Sequence, residues 1–156
     1  MNPDRGSAPT YSVDQFAPLL AAEDRHFRFQ ARNRCIVAAL RSVVRDQDRG
    51  GILEVGCGTG VVLTALQHAS PSANIDFELF EEGIQFARRR FRGTLVQGGV
   101  FTHAFDETFD LIGVFDVIEH LVDDDGLMLR RFHEQLRPGG RLIITVQANP
   151  SFGLLR

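Results

Sequence analysis

At 156 residues, 44% of them apolar and 24% charged, the chain suits one globular domain and excludes a disordered or collagen-like polymer. A formal net charge of −3 disfavours nucleic acid as a partner. The two cysteines, Cys35 and Cys57, are too few for a disulfide framework and lack the C-x-x-C spacing of a metal site. No basic-then-apolar leader is visible and no apolar run approaches the ~18 residues that span a bilayer, so the expectation is a soluble, cytoplasmic protein with no membrane contact.

Residues 1–10 are rich in turn formers and are expected to be a disordered tail. Residues 11–49 read as an N-terminal helical segment, helical from about position 12 to 46. Ile36, Leu40, Val43 and Val44 fall at i, i+4, i+7 and i+8, and a polar run at 45–51 ends the pattern. Residues 50–156 then form the core domain. Strands are expected at 52–55, 75–79, 94–97, 109–115 and 142–146. Helices are expected at 61–68 and 82–91, the latter with Ile84, Ala87 and Phe91 inward. A further helix opens at Asp123-Asp124-Asp125, where carboxylates suit the positive end of the dipole. Its inward stripe is read as Leu129, Phe132 and Leu136, and Pro138-Gly139-Gly140 is expected to stop it. Alternating strands and helices predict an α/β fold with right-handed crossovers and a mainly parallel sheet covered on both faces.

The run Glu54-Val55-Gly56-Cys57-Gly58-Thr59-Gly60 joins the first strand to the first core helix. Gly56 and Gly58 allow a tight turn and close approach to a ligand, and Gly60 allows close packing. Alone, such a run is equally a structural turn. Glu78, at the end of the second strand, lies 78 − 56 = 22 residues after the first glycine, about where a partner for a ribose diol is expected. The loop is one residue shorter than the G-x-G-x-x-G pyrophosphate fingerprint, which argues against a nucleotide-dependent oxidoreductase. Glu54 just before it disfavours phosphate and suits a ligand carrying ammonium and sulfonium charge.

At this point the sequence resembles the class I S-adenosylmethionine-dependent methyltransferases. The segments are ILEVGCGTG, ELFEEGIQFARRRF, FDLIGVFDVIEHL and LRPGGRLIITV, in family order over about residues 50–147; HFRFQARNRCIVAAL is similar to the first helix of a bacterial subgroup. The resemblance implies a Rossmann-like doubly wound sheet of strand order 3-2-1-4-5. It also implies methyl transfer from S-adenosyl-L-methionine to a small-molecule acceptor through an O- or N-nucleophile, with S-adenosyl-L-homocysteine as product.

Carried over residue by residue, the backbone of Gly56, Cys57 and Gly58 would line the cofactor, with Gly60 closing the loop. Glu54 would hold the ammonium, Glu78 the ribose hydroxyls, and Leu79 would pack on the adenine. Phe115 would offer its carbonyl to the ammonium with Asp116 beside it, and Arg32 and Arg34 are candidates for the cofactor carboxylate. Where the family often has an adenine-binding acid, this chain has Gly99, leaving Val100 and Phe101 to pack on the ring. His120 is the candidate general base, with Glu119 beside it. A similar run can hold a divalent ion in ubiquinone-pathway O-methyltransferases, but two ligands do not make a metal site, and none is assigned. His26, His68, His103 and His133 are read as structural.

The family's sheet normally continues past the fifth strand with a helix and an antiparallel hairpin, and this chain has no residues for them. The strand at 142–146 would then be an exposed apolar edge, open to a second copy of the chain or another partner. The alternative is a catalytically inactive cofactor-binding or interaction domain.

Overall fold

The computed structural model describes residues 14, 16–44, 51–69, 74–78, 80–99, 103, 105, 108–120 and 125–146. The expectations for the 1–10 tail and for Leu79, Val100 and Phe101 lie outside those residues. Two helices, α1 (Phe16–Arg25) and α2 (Phe27–Val43), precede β1 (Ile52–Val55) and α3 (Val61–Ala69). The chain continues through β2 (Asn74–Glu78), α4 (Glu81–Ala87), β3 (Thr94–Gln97) and β4 (Phe109–Phe115). A 3-10 turn (Ile118–His120), α5 (Asp125–Gln135) and β5 (Leu136–Thr145) complete it.

The strands form one parallel sheet in the order β3-β2-β1-β4-β5, the order that the resemblance implied. β1 and β4 run as almost unbroken apolar stretches because they lie in the middle of the sheet with both faces covered. Alternate side chains point to opposite faces. Leu53, Val55, Ile112 and Val114 pack with Met128 and Phe132 of α5. Ile52, Leu111 and Phe115 pack on the other face with Ile36 and Leu40 of α2 and Val62 and Leu66 of α3. Phe109 breaks the alternation: its parity matches Leu111, yet it packs with Ile112 and Val114. The β4–β5 register slips between Phe109 and Leu111, and that irregularity releases Phe109 from the phase of the strand.

Three expectations change. The N-terminal segment is two helices, broken at His26, whose backbone is extended and whose ring Nδ1 accepts from the Arg28 amide at 3.3 Å, capping α2. The inward face of α5 carries Met128 and Phe132, one turn apart and buried, while Leu129 is 44% exposed. That helix ends at Gln135, before Pro138. Leu136 already pairs with Phe109, residues 137–140 bulge outward with Gly139 at φ 81°, and pairing resumes at Arg141 opposite Leu111.

Among the described residues β3 and β5 are the sheet edges, and no helix is long and apolar enough to cross a membrane. The parallel arrangement brings the carboxyl ends of β1, β2 and β4 together along one rim, where an open α/β sheet binds ligands.

Candidate functional site

The loop after β1 is a succession of left-handed turns: Gly56, Gly58 and Gly60 have φ of 77°, 54° and 81°. Side chains rarely adopt that backbone, so conformation requires glycine at all three positions, and space requires it at Gly56 and Gly60. The Gly60 amide donates to the Cys57 carbonyl at 2.9 Å, closing the turn. The Gly60 carbonyl then accepts from the amide and hydroxyl of Thr64, which starts α3.

The missing side chains make room for different neighbours. A Cβ on Gly56 would lie 2.4 Å from a Val117 methyl, so the space beside Gly56 belongs to the segment after β4. A Cβ on Gly60 would lie 3.0 Å from the Cα of Ala87, so Gly60 admits the backbone of α4. At Gly58 the nearest atom would be a Leu19 methyl at 3.9 Å, leaving this glycine's approach side open.

Glu78 ties the second strand to this loop. It is buried at the end of β2, and its two oxygens accept from the Gly58 amide at 2.8 Å and the Phe80 amide at 3.1 Å. The two amides fix where the carboxylate points, at the rim beside the glycine loop. Gly83 of α4 must lack a side chain to pass it, since a Cβ there would fall 2.8 Å from the Glu78 Cγ. Glu54 is also buried, in the middle of β1 beside the loop. Cys57 is buried with Leu63, Ala87 and Phe91, so its side chain anchors the loop.

Helix α1 lies across this same region, which the sequence did not signal. Phe16 is buried against the rings of Phe80 and Phe86, at 5.9 and 6.5 Å between centroids. Leu19 reaches Gly58. Glu23, buried, accepts from the Thr59 hydroxyl and pairs with Arg90 at 3.7 Å. Only the helical pattern of α1 was readable; which of its polar residues turns inward depends on where the helix docks.

Across the rim, Phe115 is buried at the end of β4, and Asp116 follows with φ 55°. The Asp116 amide donates to the Thr145 carbonyl at 3.0 Å, and its Oδ1 accepts from the Thr145 hydroxyl at 2.9 Å. Its Oδ2 meets Nε of Arg32 at 2.5 Å. Arg32, expected to face a ligand carboxylate, is thus set against Asp116, while Arg34 is exposed. Val117 sits on Gly56, and its carbonyl accepts from the His120 amide at 2.9 Å, closing the turn that carries Glu119, exposed, and His120, half-buried.

The structure therefore brings Gly56, Cys57, Gly58, Glu54, Glu78, Phe115, Asp116, Glu119 and His120 to one rim. Gly99 follows β3, its carbonyl accepting from the His103 amide at 3.1 Å. Of the other histidines, His103 packs edge-on against Phe105, and His68 Nδ1 lies 2.7 Å from the Thr64 carbonyl.

Comparison with known proteins agrees with this fold. A Haemophilus influenzae ribosomal RNA small subunit methyltransferase C is 30% identical over 80 residues, 51% of this chain and 24% of that protein. The SAM-bound amino pentose methyltransferase CalS10 of Micromonospora echinaspora superposes with a TM-score of 0.70 at 23% identity, over 93% of this chain and 60% of its own. The sugar N-methyltransferase KedS8 of a Streptoalloteichus species gives 0.69 at 23%, over 97% and 60%. The chain thus spans about a quarter of the curated relative and three-fifths of these structures. The sequence model of a family described as "Methyltransferase domain" matches residues 25–155, and this chain belongs to that family.

Proposed function

We propose that the chain is the cofactor-binding domain of an S-adenosylmethionine-dependent methyltransferase acting on a small-molecule acceptor. The observation that carries this reading is the Glu78 carboxylate, buried at the end of β2 and held 2.8 Å from the Gly58 amide. An acid so placed beside a left-handed glycine loop suits a ribose diol.

The residues fit the cofactor. Gly58 leaves an approach that a Cβ would narrow, and the acids nearby, Glu54 and Glu78, suit a ligand with cationic groups. The backbone of Gly56, Cys57 and Gly58 would line it, with Gly60 closing the loop. Glu54 and the Phe115 carbonyl would hold the ammonium, Glu78 would accept the ribose hydroxyls, and Leu79, Val100 and Phe101 would surround the adenine. When bound, S-adenosylmethionine supplies a methyl group already activated by the sulfonium.

The chain's part is then to orient the acceptor, exclude water and receive a proton. The imidazole of His120 would take that proton as general base. Glu119, exposed beside it, would attract an acceptor carrying a positive charge and hold it at the rim. The likeness to CalS10, an amino pentose methyltransferase, and KedS8, a sugar N-methyltransferase, supports an amine on a sugar-like molecule as the acceptor. A content of only two cysteines, exposed Cys35 and buried Cys57, suits a reducing compartment such as the cytoplasm.

The test is calorimetric titration with S-adenosylhomocysteine, comparing the wild type with Glu78→Ala. Micromolar binding by the wild type that falls at least tenfold in the variant, about 1.4 kcal/mol or more, is expected. A folded, monodisperse wild type that binds nothing would sink the reading.

A further inference from the structure

Asp116 has the backbone of a glycine without being one. Its φ of 55° is the only positive value at a non-glycine among the described residues. Aspartate tolerates this region better than most residues, but such backbone persists only where the surroundings fix it, and it concentrates at functional sites. Here the surroundings supply two hydrogen bonds and an ion pair. Thr145, the last residue of β5, accepts from the Asp116 amide and donates its hydroxyl to Oδ1. Arg32, on α2, places Nε 2.5 Å from Oδ2.

An exposed ion pair contributes little and can be lost without trace. This one differs, because the Asp116 side chain is only 13% exposed and its second oxygen is held by Thr145. The bonds also have a mechanical consequence. The left-handed turn sends the chain back across the rim, seats Val117 on Gly56 and lets the Val117 carbonyl receive the His120 amide. The position of Glu119 and His120 relative to the glycine loop is therefore set through Asp116.

We propose that Arg32 and Asp116 are positioning residues: with Thr145 they hold the Ile118–His120 turn in register with the glycine loop, so that α2 sets the site's geometry through a salt bridge. Arg32 acts through Asp116, and Asp116 acts through the turn that follows it. The inference rests on the methyltransferase reading above and adds to it a route by which the N-terminal helices control the acceptor side.

The experiment compares the wild type with Arg32→Gln, Arg32→Lys, Asp116→Asn and the double variant Arg32→Gln/Asp116→Asn. It reads amide hydrogen exchange without ligand, and titration with S-adenosylhomocysteine. In Arg32→Gln and Asp116→Asn, exchange at the His120 amide should rise about tenfold, while Leu53 in β1 keeps its protection and shows the fold intact. Affinity for S-adenosylhomocysteine should fall about three- to tenfold in each, recover in Arg32→Lys, and be no weaker in the double variant than in the worse single one.

Losses that add in the double variant, or singles that match the wild type in both readouts, would overturn the proposal and leave the methyltransferase reading standing. No binding by the wild type would overturn that reading and this proposal together.

Discussion

After β1 the left-handed turns are made by glycines, whereas after β4 the same backbone is made by an aspartate held by side chains from distant elements. The first region needs three glycines in left-handed conformations, with α4 and Val117 filling the space they free. The second makes one aspartate adopt a similar backbone and secures it with Arg32 and Thr145. A backbone solution is rigid and intolerant of any side chain. A side-chain solution can be tuned by one substitution and couples the site to whichever helix supplies the partner. The cofactor side of the proposed site has the first character and the acceptor side the second.

The largest test of this contrast is Gly60→Ala. A left-handed alanine costs about 1–2 kcal/mol, and its Cβ would press on the Ala87 backbone, so the urea midpoint should report a total loss of about 3 kcal/mol. A loss below about 1 kcal/mol would show that α4 moves aside and that the loop is less rigid than drawn. Glu23→Ala comes next, because it leaves Thr59 and Arg90 without the buried carboxylate they share; about 2 kcal/mol is expected by the same measurement.

Thr145→Val keeps shape and removes one hydroxyl bond to Asp116. A cost of about 1 kcal/mol is expected, with the wild-type urea dependence retained. The smallest effect belongs to Leu129→Lys, within about 0.5 kcal/mol of the wild type, since this leucine faces solvent. Were it to cost as much as a core change, the face assigned to α5 would be wrong.

The same contrast explains what the sequence disclosed. The strands, their order and the glycine loop were legible because each leaves a local mark: unbroken apolar runs for β1 and β4, and glycines where φ must be positive. Glu78 was legible too, since strand length fixes how far an acid at the end of β2 lies from the loop. The bond between Thr59 and Glu23 spans 36 residues and that between Thr145 and Asp116 spans 29, and neither partner carries a signal of its own. In α5 the three consecutive apolar residues Leu127, Met128 and Leu129 define no unique stripe, so packing alone selects Met128. The break at His26 was hidden because helix-forming residues flank it on both sides.

The excursion at 137–140 has a practical use. Because the strands are parallel, the amino-terminal end of β5 lies at the rim opposite the glycine loop, and Pro138 there is exposed. A dye placed by Pro138→Cys, with the exposed Cys35 replaced by serine, would sit a full strand length away from the proposed site. It offers a handle for immobilisation or fluorescence that leaves the ligand-facing rim unobstructed.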